Sequence, residues 1–338
     1  MRTSGAGRHP VEGAVLALAK PVDVVALRAL GLGDFLTGLP ALRALRDSYP
    51  GARLTLVTHP GLVDFAGYAG VADRVVPLAS LAPLPDVVHG AALMVNLHGR
   101  GPESHQALLA AGPERLIAFA DAVTGTAGPA WRPGEHEVHR WCRLLDESGI
   151  PADPGRLDLA PPPPPHPKLA PLGATVIHSS AAFGARRWPP ERWAAVARAE
   201  TEAGHPVALT GSEADLRRVQ SIARRAGLDS SACLAGATDL VGLAGVVASA
   251  GLVLSGDTGV AHLATALGRP SVVLFGPVPP AEWGPPPDRR QHIALWAGRR
   301  GDPHGRRVDP GLLEITVADV LAAIARLRAG SAVSGAAV

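Results

Sequence analysis

From Val22 onward, short runs of aliphatic and β-branched residues alternate with longer stretches in which apolar positions recur every three to four residues. The short runs fit strands buried in a sheet, and the longer ones fit helices with one face in a core. In the first half this pattern predicts strands over 22–28, 53–58, 73–78, 91–97 and 115–119, with helices over 34–48, 60–69, 102–111 and 135–149. The alternation restarts after residue 171, with strands over 174–178, 206–210, 232–234, 251–255 and 271–275 and helices over 190–203, 213–227, 239–249 and 258–267. Strands taking turns with helices build parallel sheets covered on both faces. The expected fold class is therefore α/β, with two Rossmann-like doubly wound domains.

Breaks in the pattern set the boundaries. Pro161 to Pro165 form an unbroken proline run, which favours extended geometry and cannot join a helix, so 151–171 reads as a linker. It separates an N-terminal domain at 21–150 from a C-terminal one at 172–311. Residues 276–311 are rich in proline and glycine and give way to an amphipathic helix at 316–328, with Val317, Val320, Leu321, Ile324 and Leu327 on one face. That helix, within 312–330, is expected to pack back on the first domain. The ends, 1–20 and 331–338, are rich in small residues and read as flexible. In open sheets ligands bind at the carboxyl ends of strands, so two such domains are expected to face a shared cleft.

Composition narrows the class of function. A chain of 338 residues is longer than a single core usually supports, and 47% hydrophobic with 18% charged residues suits a globular protein. The net charge is +2 and the arginines are scattered, which argues against nucleic acid as a partner. Cys142 and Cys233 form no CxxC pair, so neither a disulfide framework nor a zinc site is implied, and a cytoplasmic location is expected. The apolar run at 11–19 contains Glu12 and is too short to span a bilayer, which leaves peripheral membrane contact open. Lys20 and Lys168 are the only lysines and neither follows a glycine, so there is no Walker A motif; no GxSxG elbow occurs either. His136-Glu137-Val138-His139 is one residue short of HExxH and reads as an exposed helix start rather than a metal site.

Three segments can carry chemistry. The first strand runs into Leu30-Gly31-Leu32-Gly33-Asp34, where Gly31 and Gly33 permit a tight turn. The third glycine of a dinucleotide fingerprint would fall at Leu36, so nicotinamide binding loses its main support. Asp34, at a helix start, serves either as a cap or as a base that takes a proton from a hydroxyl. In Ser255-Gly256-Asp257-Thr258-Gly259-Val260-Ala261-His262, a helix N-terminus after a strand offers amides to phosphate, and His262 lies one turn on from Thr258. Asp257 as a cap and His262 as a core residue is the alternative. In His178 to Pro189, Arg186 and Arg187 are suited to a diphosphate or to the solvated surface. Glu213 and Asp215, in Thr210-Gly211-Ser212-Glu213-Ala214-Asp215, suit ribose hydroxyls or a helix N-terminus.

Leu32-Gly33-Asp34, Arg186-Arg187-Trp188-Pro189 and Asp257-Thr258-Gly259-Val260-Ala261-His262, continuing through Leu263-Ala264 and Ala266-Leu267-Gly268 to Phe275-Gly276-Pro277, resemble the motifs of glycosyltransferase family 9, the ADP-heptose:lipopolysaccharide heptosyltransferases and their relatives. The resemblance covers roughly residues 22–328. It implies a GT-B fold and an inverting, metal-independent transfer of a heptose-like sugar from a nucleotide-diphosphate sugar such as ADP-heptose to a small-molecule or glycan hydroxyl, with no further cofactor. By the same resemblance Asp34 is the base, Arg186 takes the place of a phosphate-binding lysine, and Thr258, Gly259 and His262 contact the diphosphate with Arg187 nearby. Asp257 would contact the sugar, Glu213 or Asp215 the ribose, and Thr238 or Leu240 would border the base; Gly31, Gly33, His98 and Arg100 would form the acceptor-side loop.

Two departures stand out. His178-Ser179-Ser180 replaces a proline-glycine turn, and Thr58-His59-Pro60-Gly61-Leu62-Val63-Asp64 lacks the basic cluster suited to an acidic acceptor such as a lipopolysaccharide core. Two other readings fit the same cleft: a nucleotide-sugar epimerase and a non-catalytic nucleotide-sugar-binding protein.

Overall fold

The computed structural model describes residues 23–81, 83–162 and 170–335. The first domain contains β1 (Asp23–Arg28), α1 (Leu32–Thr37), α2 (Leu39–Ser48), β2 (Arg53–Thr58), α3 (Val63–Ala69), β3 (Arg74–Pro77), β4 (Leu93–Asn96), α4 (Glu103–Ala110), β5 (Arg115–Ile117) and α5 (Glu137–Asp146). The second contains β6 (Thr175–His178), α6 (Pro190–Glu202), β7 (Val207–Thr210), α7 (Leu216–Ala226), α8 (Leu240–Ala248), β8 (Leu252–Gly256), α9 (Gly259–Ala266), β9 (Ser271–Phe275), α10 (Pro280–Trp283), β10 (His292–Trp296), α11 (Pro310–Glu314) and α12 (Val317–Gly335).

Each domain holds a five-stranded sheet, in the order β3-β2-β1-β4-β5 and β10-β9-β8-β6-β7. Every strand pair is parallel. Parallel sheets need cover on both faces, which is why β4, β7, β8 and β9 are buried along their whole length. The chain is thus α/β with two doubly wound domains. Val24, Phe35, Leu36 and Leu39 of the first domain share one apolar cluster with Val260, Leu263 and Ala264 of the second, so a hydrophobic core runs through the domain boundary. No helix among the described residues is long and apolar enough to cross a membrane.

Four expectations need correction. The helix expected over 34–48 is two helices meeting at Gly38, because Pro40 has no N–H to continue the first. The strand expected over 232–234 is a 3-10 turn with a single bridge from Leu209 to Cys233. Conversely, β10 lies inside the proline- and glycine-rich stretch 276–311 and forms an edge of the second sheet beside β9. The final helix packs on the second domain rather than the first: Val320, Ala323, Ile324 and Leu327 join Trp188, Trp193 and Val196 in its core. Arg328 on α12 donates from Nη1 to Glu200 Oε1 of α6 at 3.0 Å.

The described part of the linker is held at both sides. Leu159 donates its amide to Ala266 O at 2.7 Å, and Arg43 reaches Asp158 O at 2.6 Å. Residues 1–20 and the proline run beyond residue 162 lie outside the described residues. Of the expected tail, 331–335 continue the backbone of α12, and 336–338 lie outside.

Candidate active site

A ligand crevice forms where neighbouring strands of an open sheet send their connections to opposite faces. In the first sheet this point lies between β1 and β4, and in the second between β6 and β8. The segments leaving these strands carry Asp34, Ala182, Asp257 and Thr258, which line one cavity of about 520 Å³ between the domains. A second cavity of about 550 Å³ lies beside it, lined by His178, Arg187, Asp215, Thr238, Leu240 and Thr258 among others. The two share Leu32, Ala182, Thr258 and Gly259 as a common border.

That border exists because two helix N-termini abut. A Cβ on Gly259 would lie 2.9 Å from Leu32 Cβ, and one on Gly33 would lie 3.1 Å from His262 Cδ2. Neither glycine has a positive φ, and Gly31 is extended at φ −78° and ψ 178°. Positions 33 and 259 therefore need the absence of a side chain between the domains, a requirement separate from the backbone freedom of a tight turn.

Asp34 lies in the first turn of α1, two residues inside it, with its side chain 29% exposed to the cavity. Burial pushes its carboxyl above the usual range, against the pull of the Arg28 guanidinium and with a further push from Glu137. A carboxylate with raised basicity suits proton abstraction from a hydroxyl. Arg28, at the end of β1, was missed in the sequence reading: it is fully buried, with its guanidinium 3.8 Å from Asp34 Oδ1 and 3.4 Å from Glu137 Oε1. An arginine closing an aliphatic strand carries no sequence signal for such a place.

Across the cavity, Asp257 is only 6% exposed, and burial pushes its carboxyl up to about 6 against the opposing pull of Arg186. Arg186 Nη1 lies 3.7 Å from Asp257 Oδ2 and 3.3 Å from Asp257 O. Its guanidinium also stands over the Phe183 ring at 5.7 Å, and that ring meets His304 edge-on at 4.7 Å. Thr258 is the N-cap of α9, and its buried hydroxyl makes no hydrogen bond. The arrangement leaves amides, a hydroxyl and a guanidinium together, which is chemistry for an anion. His262 stacks edge-on against Trp283 at 5.9 Å, and burial lowers its ring to about 4, so at neutral pH it is uncharged.

The other expected residues divide. Thr238 and Leu240 line the second cavity, as does Arg187, whose Nε donates to Ala181 O at 2.8 Å. Asp215 lines it too, and one of its carboxylate oxygens, Oδ2, accepts from the Ser212 amide and hydroxyl at 3.0 and 2.6 Å. Glu213 is exposed and borders neither cavity. His98 accepts the Ala29 amide at Nδ1 over 3.2 Å, while Arg100 is exposed; neither lines either cavity. His178, at the end of β6, faces the second cavity and bonds Thr210 Oγ1 at 3.0 Å. The expected exposed helix start at His136 is instead the buried beginning of α5, where Glu137 is 5% exposed. Among the described residues no three His, Cys, Asp or Glu side chains are grouped so as to hold a metal ion.

Residues 129–308, just over half of the chain, match glycosyltransferase family 9 (heptosyltransferase). That span includes Arg186 and the segment from Asp257 to His262, and stops short of Asp34. The chain is 28% identical over 303 residues to lipopolysaccharide heptosyltransferase 1 of Pseudomonas aeruginosa, covering 77% of this chain and 80% of that protein. It is 32% identical over 134 residues to lipooligosaccharide heptosyltransferase 2 of Haemophilus influenzae, covering 37% of this chain; the match spans about two fifths, 39%, of that relative's length. Among solved structures, the family 9 glycosyl transferase of Veillonella parvula superposes with a TM-score of 0.75 at 19% identity, covering 90% of this chain and 97% of the other. The ADP-heptose lps heptosyltransferase II of E. coli superposes at 0.71 and 18% identity, covering 90% and 98%. At these identities the likeness is one of fold, the two-domain GT-B arrangement.

Proposed function

We propose that this chain, which belongs to glycosyltransferase family 9, transfers a sugar from a nucleotide-diphosphate sugar to an acceptor hydroxyl by a single inverting displacement, with Asp34 as base. The observation that carries this reading is the opposition of two unlike groups across one cavity. Asp34 has raised basicity on the first-domain side, and the second-domain side presents the N-terminus of α9, the unpaired Thr258 hydroxyl and Arg186.

In the proposed step Asp34 takes the acceptor O–H proton as the acceptor oxygen bonds to the anomeric carbon. The bond from that carbon to the phosphate oxygen breaks on the opposite face, and its electron pair leaves on the nucleoside diphosphate. The α9 amides, Thr258 and Arg186 receive the departing charge. No step is assigned to a metal ion. The nucleoside half of the donor is assigned to the cavity bordered by Thr238 and Leu240, and the sugar half to the cavity between Asp34 and Asp257. Asp215, held by Ser212, is left with less capacity for ribose than an open carboxylate would have.

The names of the relatives supply ADP-heptose as the first donor to test and lipopolysaccharide as their acceptor. In this chain Thr58 to Asp64 contains no lysine or arginine, so the acceptor class proposed is a less acidic glycan or small molecule. A cytoplasmic site of action goes with such a donor.

The test is a thermal-shift panel of ADP-, GDP-, UDP- and dTDP-sugars, followed by anomeric-proton NMR of the product made from the best binder. A ligand at about 100 times its dissociation constant adds roughly 2.7 kcal/mol of stability. Stabilisation by one sugar nucleotide and a product of inverted anomeric configuration are expected. Retention of configuration, or stabilisation by none of the four, overturns the reading.

A further inference from the structure

We infer that Arg28 is the positioning residue of Asp34, and that Glu137 works against it as a counterweight, so that one buried guanidinium sets both where the carboxylate points and how readily it takes a proton. This inference rests on the reading of Asp34 as the base.

The geometry is that of a hub. Arg28 has no exposed surface. Its Nε donates to Asp34 O and its Nη1 to Leu97 O, while Nη2 donates to Thr37 Oγ1 at 3.0 Å. Thr37 in turn donates to Asp34 O at 2.9 Å. One planar fork thus ties the end of β1 to both ends of α1 and to the residue that follows β4. Lysine, a point charge on a flexible stem, cannot reproduce that set. The guanidinium lies 4.8 Å from the centroid of the Trp141 ring, and the chain leaves room for it at Gly38, where a Cβ would come within 2.8 Å of Arg28 Cδ.

A buried cation needs a full complement of negative partners. Glu137 supplies less than one, because its Oε2 accepts from Arg140 and its Oε1 also accepts Trp141 Nε1 at 2.8 Å. The charge of Arg28 left uncompensated is directed to Asp34 Oδ1, at 3.8 Å. This is close enough to attract and too long to hydrogen-bond, so the guanidinium takes up none of the hydrogen-bonding capacity of the Asp34 carboxylate, which is shared only with the backbone at Gly31 and Asp34. The charged and titratable groups around Asp34 are Arg28 from β1, Glu137 from α5, Asp257 with Arg186 across the cavity, His262 on α9, and Glu282 and His304 at the rim. Arg28 and Glu137 belong to the same domain as Asp34.

The experiment uses the full chain with aspartate labelled with 13C at Cγ, the Asp34 resonance being the one absent from Asp34→Asn. Its titration is followed in Arg28→Met, Arg28→Lys and Glu137→Gln. Loss of the cation is expected to raise the Asp34 midpoint by about one pH unit or more, and loss of the Glu137 charge to lower it. Arg28→Lys is expected to restore the midpoint of Arg28→Met but not the transfer rate. Shifts of opposite sign cannot come from a scaffold that has merely loosened. If Arg28→Met does not fold, Arg28→Lys and Glu137→Gln decide the matter. An unmoved midpoint in Glu137→Gln, or wild-type transfer by Arg28→Lys, overturns the inference. Transfer surviving in Asp34→Asn instead removes the base reading and leaves the midpoints as a property of the apoprotein, so the two failures are distinct.

Discussion

Gly259 and Gly33 face each other across the domain boundary so closely that a Cβ on Gly259 would lie 3.0 Å from the Gly33 amide nitrogen. Gly259→Ala must therefore move α9 away from α1. Overpacking of this kind costs about 1–3 kcal/mol. Urea denaturation of Gly259→Ala and Gly33→Ala should show losses in that range, and a loss below about 0.5 kcal/mol in both would mean the contact is softer than the geometry implies.

Asp34→Asn keeps the shape of the side chain and removes its ability to accept a proton. Transfer should fall by about 10²–10⁴-fold, while calorimetry with ADP should give wild-type affinity, because the groups proposed to hold the diphosphate are on the other domain. Turnover within a few-fold of wild type would end the assignment.

Thr258→Val deletes a buried hydroxyl that has no partner in the protein. Thermal stability should be unchanged or higher. Affinity for ADP should drop about tenfold or more, the range for a hydrogen bond to a charged group. Equal ADP affinity in the two proteins would show that the hydroxyl does not face the phosphates.

Asp257 gives a pH signature of definite sign. Its carboxyl sits near 6 in the fold against 3.8 for the ordinary value, so the folded chain holds the proton more tightly than the unfolded one. Its contribution to stability is greatest below pH 4 and is lost as the pH rises through 6, by at most about 3 kcal/mol at 1.36 kcal/mol per pH unit. Asp257→Asn should consequently be more stable than wild type at pH 7.5 and equal to it near pH 4. Chemical denaturation at the two pH values would expose the opposite order, were the Arg186 pairing dominant.

The pattern of apolar positions was enough to find nine of the strands, since parallel strands buried on both faces leave continuous aliphatic runs such as Leu252-Val253-Leu254. It could not find β10, an edge strand whose residues are only partly buried apart from His292 and whose surroundings are full of prolines. Nor could it tell which domain α12 would cover, because an apolar stripe specifies a greasy partner and not its identity. At the site, Asp34, Asp257, Thr258 and His262 stood out after glycine turns at strand ends and Arg186 as one of an arginine pair, but each left a structural alternative open until the resemblance to the family's motifs joined them; all five line a single cavity. Arg28 and Glu137 were not, because a charge becomes informative only when burial and partners are known, and neither can be read along a chain. Glu213 shows the converse limit: an acid after a strand can simply face water.

The narrow border of Leu32, Ala182, Thr258 and Gly259 divides the cleft into compartments of similar size, about 550 and 520 Å³. Thr238 and Leu240 belong to one compartment alone, and Glu282 and His304 to the other. On the proposed reading, recognition of the two ends of a donor is modular: exchange of the Leu240 side chain is expected to retune the choice of nucleobase without redrawing the walls around the sugar, and substitution at His304 to admit a new sugar while the same nucleotide is kept.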